Sequence, residues 1–335
     1  MSRTFIYRVP GECERCPSCG SSQLYELDLL PLPRPVNACR TGFVSGCEEC
    51  GLIFSNPQPT AEALAHFYSP AGEWGAPRAA GTERSPGPGA VTAGRSWSKV
   101  FEPVRDFVTA PPSGARALDF GCGDGKLLDA LQGSGWDTTG IETAVDSAFP
   151  RHRRLATIPD TPVFDLIVAN HVLEHVADPL GLLRQFARAG RVGGYLLVGV
   201  PRFDTLPIHR DYKYVINGRA HVTAYTWPCL QGLLARAGWR ALAPPPDRMS
   251  KGRGGHTSAR MRVMAQRTEE CVETPAAPAA SARRAVRGYY ADAQDRSVLK
   301  RMGWYRLAAR GVEARRRQAV RRRKAGRRQV EHSEK

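Results

Sequence analysis

One stretch constrains this sequence more than any other. Residues 115–120 (ARALDF) read as a short strand that passes directly into Gly121-Cys122-Gly123-Asp124-Gly125, and a helical pattern follows over 126–132 with Leu127, Leu128 and Leu131 facing inward and Gly133 at its end. A strand, a tight glycine turn and a helix in that order form the unit from which parallel α/β sheets are built. The punctuation continues downstream. Residues 137–142 predict a second strand, and 164–169 are almost wholly apolar, as a central strand covered on both faces requires. Asp178 caps a helix that has Pro179 in its first turn and Gly190 after its end, and 195–200 return as a strand. Thr226 caps a further helix through Ala237, stopped by Gly238, with strands near 239–244 and 260–266. The expected class is α/β, a doubly wound and mostly parallel sheet.

The turn resembles nucleotide-binding loops but fits neither common type. A dinucleotide fingerprint needs Gly or Ala where Lys126 stands, and no Gly-Lys-Ser/Thr closes a phosphate loop. What remains is a turn preceded by a carboxylate, Asp119, which suits a ligand carrying an ammonium or hydroxyls better than one carrying pyrophosphate. The next strand ends in Glu142, 21 residues after Gly121, where a carboxylate can accept both hydroxyls of a ribose.

Six of the nine cysteines fall in residues 1–55. Cys16-Pro-Ser-Cys19-Gly20 and Cys47-Glu-Glu-Cys50-Gly51 are two C-x-x-C-G units with 27 residues between Cys19 and Cys47. Two thiolates three positions apart on a tight turn share one face of a zinc ion, and two such turns close a tetrahedron. Cys16, Cys19, Cys47 and Cys50 are the expected ligands of a structural Zn2+, with Cys13 and Cys39 able to exchange into the set. Zinc binding of about 10 to 16 kcal/mol holds together segments too short for a core of their own.

Charge is distributed unevenly. The chain carries +16, yet residues 281–335 hold 18 Lys+Arg against 5 Asp+Glu, so +13 of it lies in that tail. The tail is a candidate for contact with nucleic acid or another polyanion; the alternative is a solvated helix or a disordered end. No apolar run approaches the roughly 18 residues of a membrane span, and the first residues, MSRTFIYRVPGE, lack the apolar stretch of a secretory signal. A cytoplasmic protein with reduced thiols is therefore expected. Residues 75–95 are rich in Gly, Pro and small residues. The expected organisation is a zinc ribbon over 1–55, a connecting helix and linker over 56–95, an α/β domain over 96–268, and an Ala/Pro-rich linker with the basic tail over 269–335.

LDFGCGDG (118–125), GIE (140–142), FDLIVANHVLEHVADP (164–179), the glycines at 193–194 and VP at 200–201 follow one another as the motifs of class I S-adenosylmethionine-dependent methyltransferases do, and the chain resembles that family. HVLEHV is similar to the corresponding run of ubiquinone-type O-methyltransferases. CGLIFSNPQPTAEALAHFY (50–68) resembles the junction between zinc ribbon and methyltransferase in a branch that includes sugar C-methyltransferases. The resemblance implies a Rossmann-like sheet of seven strands, S-adenosyl-L-methionine as cofactor, and a small-molecule methyl acceptor of sugar or secondary-metabolite type. It also implies that Asp119, Gly121, Gly123 and Gly125 hold the methionine part and backbone of the cofactor and Glu142 its ribose, with Cys122 and Asn170 as further candidate cofactor-binding residues.

Asn170 and His171 follow the strand expected beside that of Asp119, so both strand ends face one cleft. His171 is the candidate general base, its alternative being a packing role at a helix start. Segment 202–225, rich in aromatic and basic groups, is expected to border the acceptor, with Tyr212 and His221 as candidate catalytic residues and Tyr214 beside them. His171-Val-Leu-Glu174-His175 also matches the H-x-x-E-H pattern of inverted zinc peptidases, in which both histidines would be metal ligands; it reads here as a chance match within an α/β series. Two other functions stay open: a nucleic-acid methyltransferase guided by the tail, and a non-catalytic binding module on a degenerate scaffold, the latter raised by the 21 residues between Glu142 and Phe164.

Overall fold

The computed structural model describes residues 12–36, 39–68, 103–108, 110–142, 152–204, 215–218, 220–242, 249–251, 257–269 and 282–285. The linker at 75–95, Tyr212 and Tyr214, and the basic tail beyond 285 lie outside them.

Among the described residues three strands come first, β1 (Leu24–Val36), β2 (Cys39–Cys47) and β3 (Ile53–Asn56), followed by the helix α1 (Ala61–Tyr68). The main body then runs β4 (Arg116–Phe120), α2 (Lys126–Gln132), β5 (Asp137–Ile141), β6 (Arg153–Arg154), β7 (Phe164–Asn170), a 3-10 turn (Leu173–His175), α3 (Pro179–Ala189) and β8 (Gly190–Pro201). It ends with β9 (Thr223–Ala224), α4 (Trp227–Arg236), β10 (Trp239–Ala241), β11 (Met249–Lys251) and β12 (Thr257–Arg267).

The large sheet has seven strands in the order β10-β12-β8-β7-β4-β5-β6, with the short β11 added against the start of β12. β8, β7, β4, β5 and β6 pair in parallel, and β12 is antiparallel to both β8 and β10. The chain leaves β4 towards β5 and β6, then crosses to β7 and β8 on the other side, so the strand order reverses between β4 and β7. A ligand crevice opens at such a reversal, beyond the carboxyl ends of the strands. This is the doubly wound, mostly parallel seven-stranded sheet expected from the sequence.

Burial explains the apolar run of β7. Phe164, Leu166, Ile167, Val168 and Ala169 are all buried because helices cover both faces of the sheet. Leu127 and Leu131 of α2 pack on one cluster with Ala117, Leu166 and Val168. Leu180, Leu183 and Phe186 of α3 pack with Leu118, Ile167 and Leu230 in another. The caps form as the residue types dictate: the Asp178 carboxylate accepts from the Gly181 N–H at 2.9 Å, and the Thr226 hydroxyl from the Cys229 N–H at 3.4 Å.

The small sheet, β1-β2-β3-β9, joins two regions that the sequence separates. β3 pairs antiparallel with β9 through Ile53 with Ala224 and Phe54 with Thr223, and the Ser55 N–H donates to the Val222 carbonyl at 2.9 Å. Cys16, Cys47, Cys50, Leu52 and Phe54 share one apolar cluster with the core of the large sheet. Residues 282–285, the beginning of the basic segment, also pack here. Ala282 and Ala285 are buried with Leu27, Val44 and Ile53, and the Arg283 guanidinium lies 4.2 Å over the Tyr25 ring and pairs with Glu48.

Candidate active site and cysteine centre

At the end of β4 the chain turns over Gly121, Gly123 and Gly125, all with positive φ. The N–H groups of Gly121 and Cys122 donate to the Ile141 carbonyl at 2.8 and 3.2 Å, which ties the turn to the end of β5. Glu142 follows immediately, and its Oε2 accepts the Gly123 N–H at 2.8 Å. The two acids flanking the turn therefore face one place. Asp119 is 3% exposed, and burial, reinforced by the nearby Glu142 charge, pushes its carboxyl well above the ordinary carboxylate range. Such a group is relieved by a cationic ligand. The cradle above the turn is open at Gly123, where an added Cβ meets nothing within 4 Å, and closed at Gly121, where it would stand 2.8 Å from Val172 Cγ2. The Cys122 thiol points into the protein beside Leu128, and burial pushes it up.

Across the reversal point, the Asn170 side chain ends β7 against Gly199, where a Cβ would lie 2.4 Å from Asn170 Oδ1. His171 is the one non-glycine residue with positive φ among the described residues, at 60°. Its N–H donates to the Gly199 carbonyl at 2.7 Å, and its Nδ1 lies 2.8 Å from Glu174 Oε1. A strained backbone at a strand end beside a cleft is a recurrent feature of functional sites.

Glu174, legible in the sequence only as part of the peptidase pattern, is fully buried at the centre of a polar cluster. His175 Nε2 lies 3.9 Å from Glu174 Oε1, and His175 Nδ1 lies 2.8 Å from the Ala220 carbonyl and 2.6 Å from the Tyr68 hydroxyl of α1. The His221 ring, 1% exposed, meets His175 edge to face at 4.9 Å between centroids. The trio of potential ligand atoms is Glu174, His175 and His221, all within 4.8 Å of one another, which differs from the His171 and His175 pair that H-x-x-E-H would use.

On the amino-terminal side, the sulfurs of Cys16, Cys19, Cys47 and Cys50 lie within 4.8 Å of one another, with Cys16 to Cys50 at 3.6 Å and Cys19 to Cys47 at 3.5 Å. Tetrahedral zinc with 2.3 Å bonds sets sulfurs about 3.8 Å apart, so this set is compatible with zinc. The thiols share hydrogen bonds, which lower Cys47 and raise Cys16 and Cys50 in return. Cys13 stands outside the group, its backbone held by Asn56; the Cys39 side chain is not among those described. The first knuckle touches α3: the Ser18 hydroxyl donates to Asp178 Oδ1 at 3.2 Å and accepts the Leu180 N–H at 3.1 Å.

No helix among the described residues is long and apolar enough to cross a membrane.

Residues 95–243 match the family model described as a methyltransferase domain. The chain is 32% identical over 152 residues to an uncharacterized 37.1 kDa protein in a transposon of Streptomyces fradiae, covering 40% of this chain and 42% of that one. It is 33% identical over 117 residues to the ubiquinone biosynthesis O-methyltransferase of Xanthomonas oryzae pv. oryzae, covering 29% of this chain and 49% of the relative. It thus spans less than half the length of these relatives. A solved structure of the Burkholderia thailandensis 1,6-didemethyltoxoflavin-N1-methyltransferase, with bound 1,6-didemethyltoxoflavin and S-adenosylhomocysteine, aligns over 52% of this chain and 78% of that one at 16% identity and a TM-score of 0.41. The segment 95–243 thus matches a methyltransferase-domain model, and its motifs follow in order along a sheet that reverses between β4 and β7.

Proposed function

We propose that the whole chain is an S-adenosylmethionine-dependent methyltransferase acting on a small-molecule acceptor, with a structural zinc ion held by Cys16, Cys19, Cys47 and Cys50. The observation that carries the reading is the pairing across the glycine turn, where Glu142 accepts the Gly123 N–H beside a buried Asp119. The names of the relatives, ubiquinone biosynthesis O-methyltransferases, support a small-molecule acceptor.

When bound, S-adenosylmethionine supplies a methyl group on a positively charged sulfur, open to displacement along the carbon–sulfur axis. Gly121, Cys122, Gly123 and Gly125 would lend the backbone that holds the cofactor, and Asp119 would meet its cationic end. Glu142 would accept the ribose hydroxyls, each charge-assisted bond being worth about 1.5 to 3 kcal/mol. Asn170 closes the far wall. Glu174 accepts the Nδ1–H of His171, which leaves the Nε2 lone pair of His171 to take the acceptor's proton as the new bond to carbon forms. His221 belongs to the acceptor side. Holding the reactants in line contributes about 7 to 11 kcal/mol, against the 10²- to 10⁴-fold in rate expected of a general base, so positioning dominates and His171 modulates.

Native mass spectrometry of the purified chain is expected to show retained S-adenosylmethionine or S-adenosylhomocysteine. A chain that retains neither, and shows no calorimetric affinity for either, contradicts the reading. Labelled methyl transfer into a small-metabolite extract is expected to survive removal of residues 287–335, a cut that spares the docked 282–285. Loss of transfer to the extract, with gain only on nucleic acid carrying the intact tail, would overturn the choice of acceptor class.

A further inference from the structure

We infer that Glu174, His175 and His221 form a second metal site, distinct from the four cysteines, that takes a divalent transition cation of the zinc class. The inference goes beyond the proposed methyl transfer and does not depend on cofactor binding.

Three observations carry it. First, the donor set is two imidazoles and one carboxylate, the combination borderline cations favour, and the three ligand atoms lie within 4.8 Å of one another. Bonds of 2.0 to 2.2 Å in tetrahedral geometry put neighbouring ligand atoms about 3.4 Å apart. His175 Nε2 and Glu174 Oε1 stand at 3.9 Å, about half an ångström beyond that spacing.

Second, the outer contacts are those that orient metal ligands. A ligating histidine commonly donates its other ring N–H to a backbone carbonyl, which fixes the tautomer and aims the free nitrogen at the ion. His175 Nδ1 lies 2.8 Å from the Ala220 carbonyl, with the Tyr68 hydroxyl at 2.6 Å, and this leaves Nε2 for the cation. The Glu174 carboxylate is steadied in turn by His171 Nδ1 at 2.8 Å.

Third, Glu174 is fully buried, and its Oε2 has no hydrogen-bond partner among the described residues. A fully buried carboxyl with an idle oxygen is eased by a positive partner, and besides the His171 and His175 rings no side chain forms an ion pair with it among the described residues. A cation fills that need. Three protein ligands leave a fourth position for water or an acceptor oxygen.

The test counts metal on the full chain, loaded with Zn2+ and freed of excess by gel filtration, using inductively coupled plasma mass spectrometry. Two equivalents per chain are expected. A mercurial that reacts only with thiols is expected to release one, the cysteine-bound ion, and leave the other. His175→Ala and His221→Ala are each expected to retain one equivalent, releasable by the mercurial, which also reports that the ribbon remains folded. His171→Ala is expected to keep two. The inference is overturned by a single equivalent in the unmodified chain, by release of all metal with the mercurial, or by a second equivalent that survives both substitutions. Because the unmodified chain alone decides the first two outcomes, misfolding of a variant cannot obscure the result. Retention of S-adenosylhomocysteine, measured separately, tells failure of this site from failure of the methyltransferase reading.

Discussion

The two walls of the cleft are assembled differently. The cofactor wall is local: Asp119, the glycine turn and Glu142 lie within 24 consecutive residues, joined by backbone hydrogen bonds from Gly121 and Cys122 to Ile141. The histidine wall is brought together from afar. Tyr68 comes from α1, His171, Glu174 and His175 from the turn after β7, and Ala220 and His221 from the segment before β9. β9 is in turn held by β3 of the cysteine-bearing sheet, and the Val222 N–H donates to the Glu174 carbonyl at 2.8 Å. A wall made from one contiguous turn should tolerate damage elsewhere, whereas a wall hung on a second sheet should not.

Substitutions test that contrast. Gly121→Arg puts a side chain where even a Cβ would stand 2.8 Å from Val172 and demands a positive φ from a non-glycine residue. It is expected to weaken S-adenosylhomocysteine binding by more than about 100-fold in calorimetry, the loss of roughly 3 kcal/mol or more, with cysteine-bound metal unchanged. Cys47→Ser attacks the other support. It should release the cysteine-bound ion and raise amide hydrogen exchange at 222–224 by roughly tenfold or more, as the β3–β9 pairing opens locally. Cofactor affinity should move by less than about threefold. Equal damage to both walls would erase the contrast.

Asp119→Asn sharpens it from the side of charge. The native carboxyl is raised by burial, so the folded chain binds a proton more readily than the unfolded one, and stability is lost as pH rises from the ordinary carboxylate range through the raised value. The amide removes that penalty. At pH 8 the ligand-free variant is expected to melt higher, by an amount equivalent to at least about 1 kcal/mol, with the gain vanishing below about pH 4, while cofactor affinity falls. A variant less stable than the parent at pH 8 would mean that the carboxylate is already compensated. The smallest change in cofactor affinity is expected of His171→Ala, within about twofold of the parent, since the ring pairs with Glu174, with turnover slowed by about 10²-fold or more.

The same contrast decides what the sequence could reveal. The strands at 116–120, 137–141 and 164–170, the turn between the first two and the caps at Asp178 and Thr226 were legible because each rests on neighbours in sequence: apolar runs, glycines needing positive φ, and side chains that reach their own helix. The two C-x-x-C-G units were legible for the same reason. Glu174 was not. An acid three residues after a histidine looks like any helix start, and only burial by distant segments gives it meaning. Nor could periodicity foretell that β3 pairs with β9 across more than 160 residues, or that Ala282 and Ala285 bury themselves beside Leu27, since two-residue strands and single helical turns carry no pattern of their own. β8 also begins earlier than expected, at Gly190 in place of residue 195, because its first residues still pair with Phe164 across a bulge.

The most direct test of the central claim, that a sulfonium nucleoside lies over the turn between Asp119 and Glu142, is calorimetric titration of S-adenosylhomocysteine into the full chain and into Glu142→Ala. Binding at one site per chain is predicted, weakened by about 10- to 150-fold in the variant, the equivalent of one charge-assisted hydrogen bond of about 1.5 to 3 kcal/mol. Absence of binding to the parent, or equal affinity in parent and variant, would contradict it.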